Sequence, residues 1–193
     1  MKKITFLLCA IFVMAISAQA QPTIIDQGNC GASGNNLTWV LTYDGVDSIL
    51  TISGSGDMAD YTQGTAPWDS YKSQMAKLVI GDSVTSIGDC AFCHCSGFTG
   101  NLIIPNSVTT IGEATFQQCS GFTGSLTIPN SVISIGWGAF YECYFNGSLT
   151  IGNSVKTIGD YAFEGCSNFT SLTIGNSGVY DKLHTKKLLT LNY

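Results

Sequence analysis

Arginine is absent from this chain, and only 11% of its residues carry a charge. Arginine is the side chain best suited to gripping phosphate and guanine, so its absence argues against a nucleic-acid partner. Thirteen acids face eight lysines, which makes the field one that repels polyanions. Histidine is scarce too: His94 and His184 are the whole supply of neutral-pH acid–base groups of that type. The acids that stand out, Asp82, Asp89, Glu113 and Asp160, occur singly in turns. No carboxylate pair, nucleophile–base arrangement or phosphate-cradling loop emerges, so the chain is read as no enzyme and as needing no cofactor. "GSGDM" at residues 54–58 lacks the rest of a dinucleotide fingerprint and reads as a turn.

Long apolar runs are lacking as well, with one exception at the start. "MKKITFLLCAIFVMAISAQA" places two lysines before an apolar run that ends in Ala18-Gln19-Ala20. This is the pattern of a secretory signal peptide, residues 1–20, cleaved before Gln21. The run is shorter than the ~20 apolar residues needed to span a bilayer. No membrane-spanning segment is therefore expected after cleavage, and the mature protein is expected to be secreted or held at the cell surface. Cleavage would leave six lysines against thirteen acids and seven cysteines of the original eight.

What the chain has in quantity is glycine, Ser/Thr/Asn and a repeat. Segments beginning at Leu78, Leu102, Leu126, Leu149 and Leu172 restate one pattern, "LTIPNSVISIGWGAF" being typical, at spacings of 24, 24, 23 and 23 residues. A period in the twenties falls in the leucine-rich-repeat range. In each unit, Leu-x-Ile points two apolar residues inward and one outward, as a short strand requires. Pro or Gly ends that strand, Asn-Ser turns the chain, and Val-x-x-Ile supplies a second wall. The Ala-x-x-x-Cys or Phe-x-x-Cys spacing that follows suits a single helical turn, and a last Phe precedes the return. No unit closes a core alone; stacked units do. The expected fold is a β-rich leucine-rich-repeat solenoid over residues 78–177, with short parallel strands, tight turns and one short helical turn per repeat. A divergent tail occupies residues 178–193.

This repeat decides how "CAFCHC" at residues 90–95 should be read. Cys90-Ala-Phe-Cys93-His94 matches the spacing of c-type haem attachment. Cys95, however, shares its phase with Cys119, Cys143 and Cys166, which together form a candidate buried ladder of free thiols. Cys90, Cys93 and His94 align with varied residues (Gln118 and Glu142 opposite His94), while Ala91 and Phe92 between them fall in the buried phase. Neither a haem pocket nor a fourth zinc ligand is apparent, and a local Cys90–Cys93 disulfide is a simpler alternative. No metal site is assigned.

Residues 21–77 do not follow the period and read as an N-terminal cap of a β-hairpin and a short helix. Asp44-Gly45 is the hairpin signal between two apolar runs. After Pro67, Asp69 or Ser70 could cap a short helix, and Trp68 is placed over the first repeat. A stack of this kind has an apolar end that must be covered.

The units "LTIPNSVISIGWGAF" and "LTIGNSVKTIGDYAFEGC", with the leader "CGASGNNLTWVLTYDGVDSILTISGSGDM", resemble the BspA-like leucine-rich-repeat proteins of bacteria over about residues 30–177. The resemblance implies a secreted or surface solenoid without a catalytic motif. It also implies roles in adhesion to host extracellular proteins or to other bacteria. On the residues themselves, the outward strand positions Val79, Ile103, Thr127, Thr150 and Thr173 form one candidate partner-binding stripe, flanked by Asp82 and by Asn106, Asn130 and Asn153. The expected partner is a host extracellular or bacterial surface protein. The alternative is a structural solenoid that associates with itself through its C-terminal edge, residues 172–193.

Overall fold

A computed structural model describes residues 21–175 of the chain. The signal-peptide assignment and the tail, residues 178–193, lie outside the described residues. The chain opens with an antiparallel meander of β1 (Thr23–Gly31), β2 (Gly34–Tyr43) and β3 (Ser48–Gly54). The β2–β3 turn is at Asp44-Gly45, where the Asp44 carboxylate accepts the amides of Val46 and Asp47 at 2.9 and 2.8 Å. β3 then pairs in parallel with β5 (Lys77–Ile80), so the meander runs directly into the repeat array.

Two walls of parallel strands follow. One is built from the Leu-x-Ile segments: β5, then β8 (Leu126–Ile128), β10 (Ser148–Ile151) and β12 (Ser171–Ile174). The other is built from the Val-x-x-Ile segments β6 (Val84–Ile87), β7 (Thr110–Ile111), β9 (Ser134–Ile135) and β11 (Thr157–Ile158), with β4 (Gly56–Asp57) of the N-terminal region added at its edge beside β6. Equivalent residues pair rung to rung, Leu126 with Leu149 and Leu149 with Leu172. The leucines and isoleucines facing inward are buried, and the residue between them is turned out.

The leucine wall is interrupted at one rung. Leu102–Ile104 belongs to neither sheet and makes no backbone bond to its neighbours. After β5, β10 and β12 the next residue is glycine, and its amide donates to the rung before: Gly81 to Ile52, Gly152 to Ile128, Gly175 to Ile151, at 2.8–3.0 Å. Pro105 and Pro129 stand at this position on the second and third rungs. Proline has no amide proton, so the bond that would hold the end of this strand is lost on both sides.

The segment after the second wall is not helical, contrary to the expected single turn of helix. In the first full unit the amides alternate in their use. Cys90, Phe92 and His94 donate forward to Glu113, Thr115 and Gln117 of the next rung at 2.7–2.8 Å, while Cys93 and Cys95 close turns onto residues three back. A helix would turn every amide onto its own rung. The alternation is set by two left-handed positions per unit: Cys90, Ala114, Gly138 and Tyr161 (φ +49° to +62°), and His94, Gln118, Glu142 and Gly165 (φ +54° to +81°). The one helical element described is a 3₁₀ turn at Asp69–Tyr71. Trp68 holds its N-cap position, and no side chain caps it. Asp69 instead pairs with Lys72 at 3.1 Å.

Two aromatic columns fill the interior. Trp68 stacks on Phe92, followed by Phe116, Phe140 and Phe163, with centroid spacings of 5.4, 5.3, 5.4 and 5.2 Å. Beside it run Phe98, Phe122, Phe145 and Phe169 at 5.3, 6.0 and 5.7 Å. The Trp68 indole donates to the Ala91 carbonyl at 2.8 Å, which locks the cap to the first rung. Cys119, Cys143 and Cys166 each donate their thiol to a phenylalanine carbonyl one rung back, at 2.9–3.0 Å.

Candidate binding face

Alternation along each leucine strand fixes what faces out. Leu102 and Ile104 are buried on either side of Ile103, which is 74% exposed, and Val79 is 48% exposed. Thr127 and Thr173 are exposed and Thr150 half-buried, each paired with its equivalent on the adjoining strand. All five members of the sequence-derived stripe therefore lie on one face in successive rungs.

The register lengthens the stripe into the cap. Gln27 pairs with Val40, Val40 with Thr51, and Thr51 with Val79. The face is thus eight positions long: Gln27, Val40, Thr51, Val79, Ile103, Thr127, Thr150 and Thr173. At ~4.8 Å per rung it spans roughly 34 Å. Gln27, Val40 and Thr51 were not among the residues the sequence singled out. The signal was the alternation of Leu37, Trp39 and Leu41, all buried, which turns Val40 outward.

The face changes character along its length. Its cap-side half is apolar at Val40, Val79 and Ile103. Its other half is lined with hydroxyls, because Ser125, Ser148 and Ser171 lie two residues before the threonines; Ser148 and Ser125 share a 3.1 Å hydrogen bond. Lys77, two residues before Val79, is held by Asp47 at 2.6 Å. Of the asparagines beside the stripe, Asn130 accepts the Asn153 amide at 2.8 Å, so its side chain ties two rungs together. Asn106 is exposed and has no such bond.

The Cys90, Cys93 and His94 constellation takes another form. Ala91 and Phe92 between the cysteines are buried in the core, and so is Cys93. Cys93 lies 3.8 Å from the Gln117 side chain, and His94 Nε2 lies 2.9 Å from the Gln63 amide nitrogen. Among the described residues, no group of three His, Cys, Asp or Glu is arranged to hold a metal ion. Burial pushes the Cys93 thiol up to about 12, Cys30 to about 11 and Cys166 to about 12. It drives Cys95, Cys119 and Cys143 well above the ordinary thiol range as well. Protonated thiols of this kind are poor nucleophiles and fill space. The seven described cysteines are all unpaired. No described helix is long and apolar enough to cross a membrane.

With this geometry established, similarity to known proteins is informative. The fold matches a leucine-rich repeat protein from Eubacterium ventriosum (25% identity, TM-score 0.59, 79% of this chain and 44% of that one). It also matches a leucine-rich repeat protein from Bacteroides ovatus (24% identity, TM-score 0.54, 74% of this chain and 40% of that one). The chain therefore spans less than half the length of these structures. No curated protein matches it. Residues 70–180 match the BspA type leucine rich repeat region in six copies, more than half of the chain, and the protein belongs to that family.

Proposed function

We propose that the protein is an exported interaction module, secreted or displayed at the cell surface, whose leucine-strand face docks an extended segment of a host extracellular or bacterial surface protein. Repeat solenoids of this family act in general as scaffolds for protein–protein contact, and the face described here suits such a role. The observation that carries the reading is the pair Val79 and Ile103: adjacent β-branched side chains, heavily exposed, in a row otherwise turning to hydroxyls. Contiguous exposed apolar side chains tend to mark contact sites. A face of roughly 34 Å accommodates about ten residues of extended chain at 3.3–3.6 Å each.

The test is capture from host extracellular proteins and bacterial surface extracts by the mature protein, compared with Ile103→Lys and Thr127→Lys. Both positions are exposed, so the variants should keep the parent melting temperature within a degree or two. Partner recovery should drop severalfold. Equal recovery by parent and both variants removes the leucine-strand face from consideration.

A second reading, self-association, is supported by β12. It is the end strand of the β8–β10–β12 sheet, and Leu172 and Ile174 are less buried than Leu149 and Ile151. Sedimentation at rising concentration distinguishes the two readings. A concentration-dependent dimer abolished by changes at Leu172 and Ile174, but not at Ile103, would favour assembly.

A further inference from the structure

A second surface lies where the chain leaves the Val-x-x-Ile wall. Asp89, Glu113, Trp137 and Asp160 occupy the same position in consecutive units. They are held in register by bonds from Cys90 to Glu113, Ala114 to Trp137 and Gly138 to Asp160, at 2.7–3.0 Å. Three of the four are acids; the third rung carries a tryptophan. Trp39 and Trp68 are buried, but Trp137 is 44% exposed and Tyr161 beside it 53%. Their rings meet at 5.7 Å in an edge-on arrangement. Nothing in the core requires either ring, since acids and small residues serve at these positions in the other units.

The carboxylates around this pair differ in what they do. Asp60 accepts the Asp89 amide, and Asp89 accepts the Glu113 amide, at 2.9 and 2.6 Å. Glu113 and Asp160, one rung to either side of Trp137, are exposed, and neither carboxylate forms an ion pair among the described residues. Of the three described lysines, Lys72 and Lys77 are paired with Asp69 and Asp47, and exposed Lys156 forms no ion pair with Glu113 or Asp160. An exposed indole bracketed by two free carboxylates suits a cation. The indole face attracts positive charge, the carboxylates complement it, and a planar guanidinium can use both.

We propose that Trp137 and Tyr161, bracketed by Glu113 and Asp160, form a second docking site that takes an arginine or lysine side chain from a basic segment of a partner polypeptide. The site is independent of the leucine-strand face, and Ile103→Lys leaves it intact.

The experiment uses the full chain and a labelled arginine–glycine peptide, with affinity read by fluorescence anisotropy. A citrulline–glycine peptide of the same length is the uncharged control. The arginine peptide should bind and protect Trp137 from acrylamide quenching; the citrulline peptide should do neither. Trp137→Asp is the informative variant, because acids occupy this position in the other units and the fold tolerates them there. Loss of the indole should weaken the arginine peptide about two- to fivefold, the range for an exposed cation–π contact. Simple attraction to an acidic protein would instead strengthen it, since the variant gains a negative charge. Glu113→Gln with Asp160→Asn should also weaken binding, whereas Asp57→Asn with Asp82→Asn should not. Tighter or unchanged binding by Trp137→Asp overturns the proposal, as does equal binding of the citrulline peptide. It is also overturned if Lys182, Lys186 and Lys187 changed to Gln newly expose Trp137 to acrylamide, because the occupant would then be this chain's own lysines.

Discussion

Replacing Phe116 by alanine tests whether the aromatic column is a continuous support or a row of independent plugs. Phe116 is fully buried, stacked on Phe92 at 5.3 Å and Phe140 at 5.4 Å, and meets Phe122 edge-on at 6.3 Å. Phe163 is nearly as buried, but its described ring contact is with Phe140 alone, at 5.2 Å. A buried Phe→Ala change costs about 3–5 kcal/mol. Each aromatic pair adds roughly 0.5–1.5 kcal/mol beyond area, so two further pairs should make Phe116→Ala about 1–3 kcal/mol worse than Phe163→Ala. With a urea slope of roughly 2 kcal/mol/M, the two midpoints should differ by about 0.5–1.5 M. Far-UV circular dichroism through a urea titration reads both, and unchanged slopes keep the comparison valid. Midpoints that coincide within about 0.2 M at equal slope would falsify the column as a cooperative element.

Two further outcomes follow from the same framework. An unfolded thiol loses its proton near 9, whereas burial holds Cys30 near 11 and Cys93 and Cys166 near 12, with Tyr61 raised to about 12. Above pH 9 the unfolded state therefore sheds protons first. The stabilisation is fully present below that pH and is lost as pH rises towards 11–12. The urea midpoint should be level from pH 7 to 8.5 and fall steadily above 9, and a level profile to pH 10.5 contradicts the burial. Gly138 has φ +58°, and a side chain there would have only the Tyr141 Cβ nearby, at 3.7 Å. Gly138→Ala should cost about 1 kcal/mol, as the left-handed Ala114 implies, and Gly138→Val roughly 2 kcal/mol or more. Equal melting temperatures for the two variants would show that the backbone relaxes out of the left-handed region.

The array was legible in the sequence because its inward residues repeat in kind as well as in spacing. Leu, Ile, Val, Phe and Cys return in phase, and burial leaves little freedom at those positions. The left-handed positions were not read from the sequence, because only Gly138 and Gly165 among the eight are glycine. Varied side chains at these positions conceal a backbone that is tightly specified. β1 escaped notice because Thr23–Gly31 is an edge strand with mostly exposed residues and no clean alternation. Leu102–Ile104 reads as a strand by its own residues; the defect comes from Pro105 and Pro129, whose effect falls on neighbouring rungs. The stripe followed from alternation alone. Trp137 and Tyr161 escaped because they stand where other units place acids or small residues, so the repeat pattern gave no reason to examine them.

The missing ladder bonds at Leu102–Ile104 also give the solenoid a fracture plane. Tension along the stack loads successive coils in series, and separation begins where fewest bonds cross. On the leucine wall that place is the second coil, while β6, β7 and β9 still hold the opposite wall closed. A pull would open the molecule there like a hinge, with Ile103 at the mouth of the crack.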